Sequence, residues 1–265
     1  RMVWDEEDRL IATARQAVNA GLPETTYLGY GGDGARLRKA TYRAAASAAQ
    51  ARRRAEVITL GPVEIRREYG PDGRALTLER EILHLDFGGE CVAIVETRTR
   101  GQDPGPAQMW RYQLHNHQGS ATLELDQSGA VISYEEYYPF GGTAYQAVRS
   151  TLEVAKRQRF LGRERDEESG LYHFGARYYA AWLGRWTSAD PAGLTDGSNL
   201  YAYAGNDPVG LVDPGGHAGT NSIDDLFVYI RNQAGFQQGA LTPPSFDSKD
   251  ASRFGTWAHQ QATGV

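Results

Sequence analysis

Aromatic and β-branched residues alternate with polar ones over much of the chain, and glycine turns break the alternation at intervals. A period of two interrupted by Asp-Gly or Gly-rich turns predicts β-hairpins, because those turns match the twist of the flanking strands. Tyr27-Leu28-Gly29-Tyr30-Gly31-Gly32-Asp33-Gly34 feeds Ala35-Arg36-Leu37-Arg38-Lys39. Ile65-Arg66-Arg67-Glu68-Tyr69-Gly70-Pro71-Asp72-Gly73 feeds Ala75-Leu76-Thr77-Leu78, and Ala121 to Gly129 feeds Val131-Ile132-Ser133-Tyr134. Even Arg1-Met2-Val3-Trp4-Asp5 reads as a strand in mid-course. The predicted class is all-β.

Two stretches interrupt the pattern. Ala44 to Glu56, rich in Ala and Arg, predicts a short exposed helix or a loop inserted between strands. Gly101 to Pro106 predicts a loop, since proline lacks the ladder donor. Beyond residue 217 the period changes. Ser222 to Asn232 places a serine and two acids before an apolar run, as a capped helix does, and Lys249 to Gly264 is again helical after Pro243-Pro244. A boundary near 217 follows.

Composition fits many short strands: 31 Gly, 15 Tyr and 5 Trp accompany only 2 Met in 265 residues. The net charge of −5 argues against a broad nucleic-acid-binding face, which needs a cationic excess. The basic runs Arg52-Arg53-Arg54 and Lys156-Arg157-Gln158-Arg159 are expected to be solvated edges. With Cys91 as the one cysteine, an internal disulfide and a cysteine-based zinc site are both excluded, and Cys91 is expected to be a small core residue. His115 and His117 suit a strand end better than a metal pair, and Asp224-Asp225 suits helix capping; no metal or cofactor is expected. No run is apolar enough for a transmembrane helix, and any export signal is expected upstream of this segment.

A series of motifs in fixed order carries a family resemblance. Tyr137-Tyr138-Pro139-Phe140-Gly141 is followed by Arg159-Phe160-Leu161-Gly162, then by Asp166 to Tyr179 with its Gly170-Leu171-Tyr172-His173-Phe174-Gly175-Ala176-Arg177-Tyr178-Tyr179. Gly184-Arg185-Trp186-Thr187-Ser188-Ala189-Asp190-Pro191, Asn199-Leu200-Tyr201-Ala202-Tyr203 and Asn206-Asp207-Pro208 to Asp213-Pro214-Gly215-Gly216 complete it. This segment resembles the RHS-repeat-associated core, and Trp4 to Leu10 resembles the strand-turn motif of the RHS repeat shell before it. The resemblance implies a strip of β-hairpins forming part of a hollow cocoon, as in insecticidal toxin-complex C subunits and secreted Rhs effectors, with teneurins as distant relatives. It implies three parts: shell over 1–136, core with a self-cleavage segment over 137–217, and the start of a variable, mostly helical effector over 218–265. It further implies a secreted protein whose partners are its own C-terminal toxin domain, the rest of the shell, a delivery apparatus such as type VI secretion and, in interbacterial competition, an immunity protein.

The family's core ends in Asp-Pro-x-Gly-Leu, with cleavage after the leucine. Here Asp213-Pro214-Gly215-Gly216 matches and His217 occupies the leucine position, so cleavage is expected between His217 and Ala218. The resemblance implies aspartic-type proteolysis with Asp190 and Asp213 as the pair, Arg185 as a charge beside them and Asp207 as a flanking turn residue. Two carboxylates held close share a proton, so one can act as base on water and the other as acid. Four residues separate Asp213 from the proposed bond, so the chain must bend back, which Pro214-Gly215-Gly216 permits. The competing reading is a noncatalytic shell or teneurin-like adhesion module in which the Asp-Pro dipeptides only start turns. A third rests on Gly255-Thr256-Trp257-Ala258-His259, which resembles the first helix of PD-(D/E)XK nucleases.

Overall fold

The predicted hairpins close on their turn residues. Gly34, Gly73 and Gly129 all adopt positive φ and donate their amides back across the turn, and Asp72 and Asp126 cap their turns through Oδ1. The computed structural model describes residues 1–149 and 156–217. The predicted helices over 222–232 and 249–264, with Asp224-Asp225, His259 and Ala218, lie outside the described residues.

Twelve strands form one antiparallel meander in sequence order. They are β1 (Met2–Trp4), β2 (Leu10–Thr13), β3 (Thr25–Tyr30), β4 (Arg36–Tyr42), β5 (Arg53–Leu60) and β6 (Val63–Tyr69). The strip continues through β7 (Leu76–Phe87), β8 (Glu90–Gly101), β9 (Gln108–His115), β10 (Ala121–Leu125), β11 (Val131–Tyr137) and β12 (Thr143–Val148). The all-β class expected of an RHS strip is what forms, and β12 carries the sheet past residue 136. The insert expected over 44–56 is smaller: a 3-10 turn at Ala48–Gln50 is its only helical piece, and β5 begins at Arg53. Cross-strand pairing of Ala55 with Glu68 and of Glu56 with Arg67 outweighs the helical preference of Ala and Arg there.

Register sorts the two faces. On one, Val63, Leu83, Val95 and Trp110 form a row, and Leu85, Ala93, Tyr112 and Leu125 form the next. Much of this apolar face is open, with Leu83, Tyr112 and Leu114 all exposed. On the other, Glu64, Ile82, Glu96 and Met109 share a row, as do Gln113, Glu124 and Ser133, and the charged members are buried. Those charges are paired: Arg111 lies 3.1 Å from Glu96 and 3.3 Å from Glu124, while Gln113 and Ser133 also donate to Glu124. Lys156 belongs to this face. Its ammonium is fully buried, 3.0 Å from Glu135, so the run Lys156 to Arg159 is not the solvated edge expected of it. Lys156 and Arg159 together hold Glu135 below the usual carboxylate range against the upward push of burial. Cys91 is half-buried beside His84 rather than in the core.

After the strip, residues 156–217 form a core unit around a small sheet of β13 (Glu164–Arg165), β14 (Tyr172–His173), β15 (Tyr178–Ala180) and β16 (Arg185–Trp186). Strands this short do not hold themselves. Phe160, Tyr172, Phe174, Tyr179, Trp186 and Tyr203 pack as one buried aromatic cluster at their centre. The unit joins both ends of the strip. Leu171, Tyr178 and Ala180 pack on Leu10 and Leu28, and Arg36 and Lys39 of β4 pair with Glu164 and Asp166. At the other end, Tyr179 Oη donates to Phe140 O and Leu161 N to Ser120 Oγ. A polar cavity of about 1000 Å³ lies between, lined by Glu56, Arg66 and Arg80 of the strip and by Glu167 and Glu168 of the core unit.

Candidate active site

Asp190 follows β16, which is fixed from both sides: Trp186 N donates to Tyr201 O and Thr187 N to Tyr178 O. Asp190 then opens a turn. Its Oδ1 accepts from Ala192 N at 2.8 Å and its carbonyl from Gly193 N, which leaves Oδ2 free to face inward. Asp213 does the same one segment later, accepting from Gly216 N at 2.8 Å and His217 N at 3.1 Å through Oδ1. Gly216 has φ +74°, and a Cβ there would meet Arg177 N at 3.2 Å, so this bend requires glycine. The chain beyond Asp213 therefore turns back onto the Asp213 carboxylate.

Arg177, between β14 and β15, fills the space between the two aspartates. Its Nη2 lies 2.8 Å from Asp190 Oδ2 and 3.1 Å from Asp213 Oδ2, so the two oxygens are no farther apart than the sum of those distances. Nε donates to Gly216 O at 2.6 Å and Nη1 to Leu200 O at 3.2 Å. All three side chains are almost entirely withdrawn from solvent, where the pairing is stronger than it would be in water. Burial pulls Arg177 below the ordinary arginine range, and Asp213 and Asp190 push it back up. The arrangement holds two carboxylates on one cation, with the backbone before the expected cut hydrogen-bonded to both Asp213 and Arg177.

Of the residues singled out from the sequence, Asp190 and Asp213 come together on this nitrogen and His217 joins them through its amide. Arg185 does not. It is exposed on β16, its backbone bridged to Ala202, and the guanidinium between the carboxylates is that of Arg177. Asp207 is exposed and closes its own turn on Gly210 N. Arg177 was missed, although a signal existed: a single arginine inside Phe174-Gly175-Ala176-Arg177-Tyr178-Tyr179 must find a partner if the aromatic run is buried.

Comparisons with known proteins follow the same lines. No protein-family model matches the chain. It is 52% identical over 115 residues to toxin subunit YenC2 of Yersinia entomophaga, covering 43% of this chain and 12% of that protein. It is 32% identical over 170 residues to YibJ of Escherichia coli K12, covering 61% of this chain and 72% of YibJ. Among solved structures, the Photorhabdus luminescens Tc holotoxin pore with an aspartate-to-alanine mutation in TccC3 superposes at a TM-score of 0.73 and 35% identity, over 83% of this chain and 10% of that one. The chain thus spans about a tenth of the length of the toxin subunits it matches. With the β-strip, the core motifs and these relatives together, the chain belongs to the RHS-repeat family and is similar to the C subunits of insecticidal toxin complexes.

Proposed function

We propose that this segment closes an RHS toxin shell and cuts its own backbone between His217 and Ala218, separating the shell from the effector that follows. The observation that carries the reading is Arg177 Nη2 between Asp190 Oδ2 and Asp213 Oδ2, with Asp213 turned onto the amide of His217. In this reading Arg177 stabilises the carboxylate that acts as base, and the other carboxylate acts as acid. The ionised member takes a proton from water as the water oxygen attacks the His217 carbonyl carbon. The protonated member gives its proton to the departing Ala218 nitrogen, and the C–N bond breaks to leave a carboxylic acid on His217 and an amine on Ala218, with the dyad again holding one proton. One turnover suffices, because the bond is part of the same chain and its effective concentration is high.

Within that reading the polar cavity is part of the container, the effector starting at 218 is its cargo, and the remainder of the shell is its structural partner. The likeness to YenC2 and TccC3 favours export as part of a toxin complex over type VI secretion. A delivery apparatus belongs to either route, and an immunity protein to interbacterial use. The test is intact mass. Asp190→Asn and Asp213→Asn are each expected to leave a full-length chain where the parent yields two fragments. Normal processing of both variants overturns the self-cleavage reading and leaves a noncatalytic shell.

A further inference from the structure

The indole of Trp186 lies beneath Arg177. The guanidinium carbon sits 4.3 Å from the ring centroid, close for a cation over an aromatic face, and both groups are buried. The N–H donors of Arg177 lie in the plane of the guanidinium, and their acceptors come from three separate segments, at Asp190, at Leu200 and at Asp213 with Gly216. Bonds in one plane set where the edge points and leave the faces without partners. A cation withdrawn from water needs its charge met on the faces too, and an aromatic ring does this without competing for the donors.

The indole is itself fixed. Phe174 meets it edge-on at 5.2 Å and 89°, Tyr179 at 5.4 Å and Tyr203 at 5.6 Å, while β16 pairs Trp186 with Tyr179. Its identity is informative as well. The Trp186 Nε1–H is buried without a hydrogen-bond partner among the described residues, a cost that phenylalanine would avoid. Tryptophan offers in return the strongest aromatic face for a cation.

We propose that Trp186 is a positioning residue for the self-cleavage: its ring face holds the Arg177 guanidinium in the one orientation that places Nη2 on both Asp190 and Asp213. This rests on the self-cleavage reading. Trp186 touches no reacting atom; it acts through Arg177, and its contribution is electrostatic rather than volumetric.

The experiment uses the full chain made by cell-free synthesis, with cleavage followed by gel after a pulse label. Trp186 is replaced site-specifically by mono-, di- and tetrafluorotryptophan, which weaken the ring's attraction for a cation and nearly keep its size. The rate is expected to fall stepwise with each fluorination, to about a tenth of the parent at the last, while the melting temperature of an uncleavable Asp190→Asn version of each chain stays level. Trp186→Phe is expected to retain more of the rate than Trp186→Leu. A flat rate across the fluorinated series, or Leu cleaving as fast as Phe, overturns the proposal; if Leu does not fold, the fluorinated series still decides. The Asp190→Asn chain, tested alone for cleavage, separates the two levels. Processing of that chain condemns the self-cleavage reading itself, whereas its silence beside a flat series condemns only the role of Trp186.

Discussion

The strip and the core unit bury opposite kinds of surface. The strip has strands of up to twelve residues, held by a continuous ladder, and the face it buries carries paired charges beside Ile82, Ile94 and Met109. The core unit has strands of two or three residues, and the centre it buries is a cluster of rings. A long ladder satisfies its own backbone and can spare its side chains for a polar lining, provided every charge is paired. Short strands cannot, and must be held by apolar packing. The comparison teaches where to look for chemistry. Paired charges are ordinary structure in the strip and where the core unit meets it, as with Glu164, Asp166 and Lys156, whereas Arg177 with Asp190 and Asp213 is paired wholly within the aromatic unit, and clusters of that kind mark function more often than stability.

The largest expected effect falls on the aromatic side. Phe160 is 1% exposed and its ring meets Tyr137, Tyr172, Tyr179 and Tyr203. Phe160→Ala is expected to cost about 3–5 kcal/mol in urea unfolding, because the cavity it leaves touches the whole cluster. Leu114→Thr, on the strip face where Leu114 is 46% exposed, is expected to stay within about 0.5 kcal/mol. Equal losses at the two sites would break the distinction between the regions.

On the strip side the charges themselves are the test. Glu124 is 1% exposed and accepts from Arg111, Gln113 and Ser133, so Glu124→Ala removes the shared acceptor of three donors, of which Arg111 keeps Glu96, and is expected to cost about 3 kcal/mol. Replacing the trio together as Glu96→Leu, Arg111→Met and Glu124→Leu is expected to recover most of that loss, since ion pairs seldom outdo hydrocarbon of like volume. A triple variant less stable than Glu124→Ala would mean the polar face is a stability element in its own right. Denaturant unfolding of the two variants beside the parent decides it.

The sequence disclosed the hairpins because turn chemistry is local: Asp-Gly and Gly-rich dipeptides fix register within a few residues. It did not disclose which face of the strip is buried. Alternation has two senses, and the usual expectation of apolar-in is reversed here because the polar face lines a cavity. The same reversal explains why Lys156 looked solvated when its partner, Glu135, lies on β11. At the site, the pair of aspartates is what the family resemblance implies, but the arginine nearest Asp190 in sequence, Arg185, points away, and the one on both carboxylates is thirteen positions before Asp190. Only folding makes Arg177 their neighbour.

The smallest expected effect sharpens the comparison where the regions meet. His173 on β14 lies near Arg36, Glu164 and Asp166, and burial, reinforced by Arg36, pushes its pKa down to about 3 against the opposing pull of the two carboxylates. The folded chain thus keeps His173 neutral at a pH where the unfolded chain protonates it. A depressed histidine contributes stability that is complete above the unfolded value near 6.5 and is lost as pH falls from there toward 3. Between pH 7 and 5 this one group is expected to remove about 1–2 kcal/mol, whereas Glu64, which burial pushes up and Arg66 and His84 hold down to about 2, loses its contribution only as pH falls through its ordinary value of 4.5 toward 2. His173→Phe keeps a ring beside Tyr178, which His173 meets at 5.0 Å, and is expected to flatten unfolding free energy over that window by the same amount. An unchanged pH slope in the variant would mean that the joint between strip and core takes up the proton while folded, its carboxylates Glu164 and Asp166 meeting the new charge as the strip's carboxylates meet theirs, and that it is not closed to charge as the aromatic centre is.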